Sequence, residues 1–241
     1  MSAARSLRTP WRPAIGAACA LLAALALAWP ARAQGMGGRE APPPPTPLTV
    51  ARLAYGPGDW YGNPTSLPNL LAFVRSELGL PSAEREAVVR ATDPDLSRYP
   101  FLYLTGHGEI RFTDEELAAL KAYLEGGGFL HADDNFGLDP ALRRELARLF
   151  PGEALVELPH DHPIYRAPFA FPTGLPKVHE HAGGPPRGYG LHAGGRLVVF
   201  YSFNTDLGDG WEDAAVHGDP EEVRRAALRM GANVLVYALT H

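Results

Sequence analysis

The run His131-Ala132-Asp133-Asp134-Asn135 gathers an imidazole, two carboxylates and an amide within one short stretch. Its lead-in, Gly126-Gly127-Gly128-Phe129-Leu130, reads as the start of a buried strand, and Asp139-Pro140 opens a helix. The polar groups therefore fall at a strand's C-terminal mouth, where open α/β sheets bind their ligands. His131 and Asp133 alternate along the strand and share a face. Consecutive carboxylates beside an apolar run are costly unless satisfied. Asp133 and Asp134 are thus candidates for base or nucleophile, with His107, between Gly106 and Gly108, as their helper. Asn135 sits where backbone donors and a helix N-terminus hold anions. The same residues also suit an ordinary hydrogen-bonded turn with a local cap.

Two further histidine pairs, His160-Asp161-His162 and His179-Glu180-His181, have the spacing that presents two ligands from one extended segment. Together with His131 and Asp133 they suggest a nitrogen and oxygen site for zinc or another divalent ion, with His131, His179 and His181 as metal ligands. Neither pair fits a helical His-Glu-x-x-His motif, and histidines in Pro-rich loops commonly serve as caps or core hydrogen-bonders. His192, His217 and His241 carry no assigned role. Asp206, Asp209, Glu212 and Asp213 are rich in oxygen, as calcium requires, but their spacing departs from the EF-hand and reads as a solvated acidic turn. Asp59 and Trp60, in a loop after the first strand, are expected at the same sheet edge. Trp60 either stacks on a sugar or covers the core. With His131, Asn135, His179, Glu180 and His181 they complete the candidate ligand-binding set.

These groups must be carried by alternating strands and helices, the pattern of a mostly parallel sheet covered on both faces. Leu48 to Tyr55 is the first strand, and Thr65 or Ser66 caps a helix with Leu67, Leu70, Leu71, Val74 and Leu78 on one side. Val88-Val89 is a short second strand and Phe101 to Thr105 a stronger third. Thr113 and Glu116 form a capping box for a helix that stops at Gly126. After the polar run, Asp139 caps a helix that turns Leu142, Leu146 and Leu149 inward. Leu155 to Leu158 is a possible strand, whereas Pro159 to Gly195 is rich in Pro, Gly and His and shows no period. Arg196 to Ser202 returns as a strand, and Asp219-Pro220-Glu221-Glu222 opens a last helix through Val234.

Arg5, Arg8 and Arg12 precede an apolar run from Ala14 to Trp29, followed by Ala31-Arg32-Ala33. This predicts a secretory signal peptide over residues 1–33 and an exported protein of the periplasm or cell envelope. The run is about 16 residues long, short of the roughly 20 that a spanning helix needs. Residues 34–47, with Pro42-Pro43-Pro44-Pro45-Thr46-Pro47, form a linker, and a single domain is expected over 48–241. Cleavage after Ala33 removes the sole cysteine, Cys19, which excludes a thiol nucleophile, a disulfide framework and a zinc-thiolate site. It also removes four of the 22 basic residues and none of the 27 acidic ones, leaving a net charge of −9. Nucleic acid needs a basic footprint and is not an expected partner. No transmembrane span is expected in the mature chain.

Tyr99 to Gly108, Gly127 to Asn135, Leu175 to His181, Leu207 to Asp213 and the opening Tyr55 to Tyr61 together resemble a bacterial family known only as domain of unknown function 4159. The likeness covers nearly the whole mature domain. It implies a class I glutamine amidotransferase-like, flavodoxin-related three-layer α/β fold, and no established activity. Amidotransferases of that class carry a nucleophilic cysteine on the turn after a central strand. Here the matching turn holds Asp133 or Asp134, so glutamine hydrolysis is not expected.

No Gly-x-Ser-x-Gly elbow, phosphate loop or Rossmann glycine fingerprint is present, and no nucleotide cofactor is expected. Two readings survive. One is an exported binding module for a small polar or carbohydrate ligand or an envelope protein. The other is an Asp/His-dependent hydrolase, assisted by a divalent metal.

Overall fold

The computed structural model describes residues 47–241. The expected signal peptide, and all of the expected linker but Pro47, lie outside the described residues. Seven strands form one sheet in the order β2-β1-β3-β4-β7-β6-β5. They are β1 Ala51–Ala54, β2 Ala87–Arg90, β3 Phe101–Leu104, β4 Phe129–Asp133, β5 Val156–Glu157, β6 Arg187–Ala193 and β7 Arg196–Phe203. The first five in spatial order are parallel, while β6 runs antiparallel to both β7 and β5. The parallel part follows the doubly wound order of flavodoxin-like sheets, which reverses between β1 and β3.

Alternation along the strands builds two cores. Leu53, Leu102, Leu104, Leu130 and Val199 face helices α2 (Asp114–Glu125) and α3 (Asp139–Leu149). Phe101, Tyr103, Phe129 and Phe200 face α1 (Ser66–Leu78), the short α4 (Leu207–Trp211) and α6 (Glu221–Thr240). Helix, sheet and helix make three layers, the α/β class expected. A short α5 spans Ala214–His217. No helix among the described residues is long and apolar enough to cross a membrane.

Local signals explain most boundaries. Thr113 and Glu116 close the reciprocal capping box at the start of α2, and the C-cap Gly79 ends α1 in the left-handed region. Asp139 stands inside α3, whose N-cap is Leu138, and its carboxylate accepts from Tyr201 and Arg143. Thr65 is the N-cap of α1, but its hydroxyl is bonded to Glu212. The segment 159–195 is not wholly irregular, because it contains β6. The acidic stretch after β7 is not a solvated turn: Asp206, Asp209 and Glu212 are buried and α4 passes through them.

Candidate functional site

The strand order reverses between β1 and β3, so a crevice is expected beyond their C-terminal ends. Asp59, from the loop after β1, meets His107, from the loop after β3. Its Oδ1 accepts the His107 backbone N–H at 2.6 Å, and its Oδ2 lies 2.6 Å from His107 Nδ1. Burial pushes the Asp59 carboxyl upward, but these bonds outweigh it and hold the group below the usual carboxylate range. Gly106 permits this approach, since a Cβ there would strike Tyr55 Oη and Asp59 Oδ1. Beneath the loop, the buried guanidinium of Arg52 donates to the carbonyls of Trp60, Gly62 and Asn63 and to Ser66 Oγ, and reaches Glu86 at 3.4 Å. Trp60 rests on the core, while Tyr61 is 64% exposed.

At the mouth of β4 the four polar residues take different surroundings. His131 is enclosed by the rings of Phe101, Tyr103, Phe200 and Trp211. Burial lowers its pKa to about 3 and keeps it neutral. Its Nε2 lies 2.8 Å from Ser202 Oγ, which in turn donates to Asp133 Oδ1 at 2.5 Å, while Nδ1 has no partner. This order assigns the imidazole proton to Nε2. Asp133, fully buried, also accepts from Tyr103 Oη at 3.1 Å and from the backbone N–H groups of Leu207 and Gly208 at 3.2 and 2.6 Å. It ties β4 to the first turn of α4. Gly208 is required there, because a Cβ would strike Tyr103 Oη and Asn63 Nδ2.

Asp134 accepts from the Asn204 backbone N–H at 2.8 Å, and burial lifts its pKa to about 6. The buried Asn135 turns its Oδ1 onto the Phe136 N–H at 2.7 Å. The Phe136 ring itself is 66% exposed.

A third group forms where the loop carrying His179 and His181 crosses the end of β7. His181 Nε2 lies 2.9 Å from Asp206 Oδ2. Burial and the adjacent Asp133 and Asp209 raise the Asp206 carboxyl well above its ordinary value. His179 sits between two carboxylates, with Nδ1 2.7 Å from Asp209 and Nε2 3.1 Å from Asp219. Burial pulls the His179 pKa down, but the two carboxylates outweigh it and hold the pKa above the ordinary value. His217 Nε2 approaches Asp209 at 3.5 Å and Glu212 at 3.3 Å. Asn63 Nδ2 donates to Asp209 Oδ1 at 2.7 Å, joining the loop after β1 to this cluster. Among the described residues three non-glycine residues hold positive φ, Asn63, Asn204 and Asp206, and all three lie here.

The loops after β1, β3, β4 and β7 thus form one continuous band at the sheet's C-terminal edge. Asp59 bonds His107, the Gly108 N–H donates to the Phe136 carbonyl, the Phe136 ring lies 6.3 Å from that of His181, and His181 bonds Asp206. The expected residues separate within it. Asp59, His107, His179 and His181 line the band, Glu180 is exposed beside it, and Trp60 supports it from the core side. His131 and Asp133 lie beneath, within the sheet's packing, and His131 is not in the metal-suited group of His179, Asp209 and His217. Asp209, His217 and Asp219 are the additions. Only the fold brings them to His179. A surface hollow of about 260 Å³ lined by Phe169, Phe171, Arg225 and Arg229 shares no residue with the band.

The family model described as Domain of unknown function (DUF4159) matches residues 49–239. No curated protein matches the chain.

Proposed function

The chain belongs to the family of Domain of unknown function (DUF4159), and we propose that it is an exported binding domain for a small, ring-bearing polar ligand of the carbohydrate class. The ligand lies along the C-terminal edge of the sheet. The observation that carries this reading is the pairing of solvent-exposed rings, Phe136 at 66% and Tyr61 at 64%, with fixed polar groups on loops tied to one another. A sugar presents apolar C–H faces to aromatic rings and hydroxyls to imidazole and carboxylate groups. His107, Asp59 and His181 supply those groups. Export rests on the arginine-led apolar run and Ala31-Arg32-Ala33.

Binding is favoured over hydrolysis by the state of Asp133. Both of its oxygens are engaged, by four donors, which leaves no lone pair directed at a substrate. An array of neutral and acidic amino-sugar oligosaccharides, probed with the purified protein, tests the reading. Retention that Phe136→Ala weakens tenfold or more, without a change in melting temperature, is the expected result. Absence of retention on every glycan overturns it, and release of a cleaved product moves the assignment to the Asp/His hydrolase.

A further inference from the structure

Four carboxylates, those of Asp206, Asp209, Glu212 and Asp219, are withdrawn from solvent at the end of β7, with side-chain exposures of 0, 10, 5 and 12%. Among the described residues their ion-pair partners are all imidazoles: His181 for Asp206, His179 and His217 for Asp209, His217 for Glu212 and His179 for Asp219. No lysine or arginine faces them as a salt-bridge partner in that set. Withdrawn carboxylates persist when paired or when they coordinate a metal.

Two further atoms point the same way. The buried Asp219 Oδ2 has no hydrogen-bond partner, and Asp206 Oδ1, on a fully buried side chain, has none beyond the carboxyl of Asp209 against which that side chain lies. Buried polar atoms left unpaired are uncommon and call for an occupant or another explanation.

We propose that His179, Asp209 and His217 hold a divalent transition-metal ion of the zinc class. One donor atom from each lies within 4.8 Å of the others, a spread that a single ion can span. Two imidazoles with a carboxylate form the donor set that zinc and its neighbours prefer over calcium or magnesium. The supporting shell is already built. Asn63 Nδ2 donates to Asp209 Oδ1 and fixes the carboxylate, and Asp219 takes Nε2 of His179, as a carboxylate bonded to the far nitrogen orients a ligating imidazole. Glu212 Oε1 is occupied by Thr65, and its Oε2 lies 3.3 Å from His217 Nε2 at the margin of the group. The His179 and His217 side chains are 30 and 28% exposed, so an ion has a path in from solvent. The inference goes beyond the carbohydrate reading, and either can fail without the other.

Elemental analysis of the untagged protein, after chelator treatment and dialysis against ZnCl2, MnCl2 or NiCl2 at micromolar concentration, decides the matter. The expected result is close to one zinc or nickel per chain, with at least tenfold weaker uptake in His217→Ala. That variant changes a residue on a short surface helix and keeps the test open if Asp209→Asn fails to fold. His192→Ala serves as the control and retains the metal. Absence of stoichiometric uptake by the unaltered protein overturns the proposal, as does uptake that His217→Ala leaves unchanged.

Discussion

Asp59 and His107 meet across the point where the strand order reverses, one carboxylate taking both the backbone N–H and the ring nitrogen of the same histidine at 2.6 Å. The pair joins the first loop of the band to the second. Its side chains are 32 and 51% exposed, so it is screened by solvent and weak as a stabilising contact. His107→Ala is therefore expected to leave thermal stability within about 1 kcal/mol of the parent while abolishing retention on the glycan array. Calorimetric melts beside array binding separate the two effects.

Arg52 governs the shape of that first loop from below. Its guanidinium satisfies three carbonyls and Ser66 Oγ in a buried setting. Arg52→Leu removes the cation while Glu86 and the carbonyls remain, a loss of about 3–5 kcal/mol for a buried charge left without its partner. Amide exchange should accelerate over residues 59–66 before it does in α2 or α3. Unchanged exchange in that loop would refute the positioning role.

Asp133 is expected to act on stability. Asp133→Ala strands the Leu207 and Gly208 N–H groups and Tyr103 Oη, and should lower stability by about 3 kcal/mol or more, since each buried unpaired donor costs about 1–3 kcal/mol. Asp133→Asn keeps an acceptor and should recover part of the loss. Chemical denaturation of both variants gives the comparison.

Much of this arrangement was legible in the sequence. The capping box at Thr113 and Glu116, the stop at Gly79 and the polar run at the end of β4 all follow from local chemistry. β6 was not legible, because Gly188 and Gly190 stand where its alternation should show apolar side chains. Those positions are glycine since Phe200, Tyr165, Leu158 and Leu197 occupy the space a Cβ would need. The burial of Asp206, Asp209 and Glu212 was hidden for a different reason. Their stretch reads as polar, and only the crossing of the His179 loop over β7, together with His217 from α5, supplies the imidazoles that let them leave water. His217 carried no local signal, being a single histidine on a four-residue helix.

His131 sets part of the acid response of the fold. Its folded pKa is lowered to about 3 from a reference of 6.5. The unfolded chain therefore binds a proton that the folded chain refuses between those values. The neutral ring costs nothing above pH 6.5, and stability falls as pH drops from 6.5 toward 3, by up to about 1.4 kcal/mol per pH unit. Carboxyls with raised pKa values, Asp134 among them, act in the opposite sense over pH 4–6, since the folded state then holds the extra proton. His131→Gln should make the acid side of the stability profile shallower. A profile identical to the parent's would contradict the neutral, buried assignment.

Histidine side-chain NMR, recorded while the protein is titrated with the neutral and acidic amino-sugar oligosaccharides, tests the central claim most directly. The band predicts that the His107 and His181 ring resonances shift together and saturate at one ligand concentration, with His160 and His192 unmoved. Shifts confined to His160 or His192, or no shift in any ring, would contradict a ligand site at the C-terminal edge of the sheet.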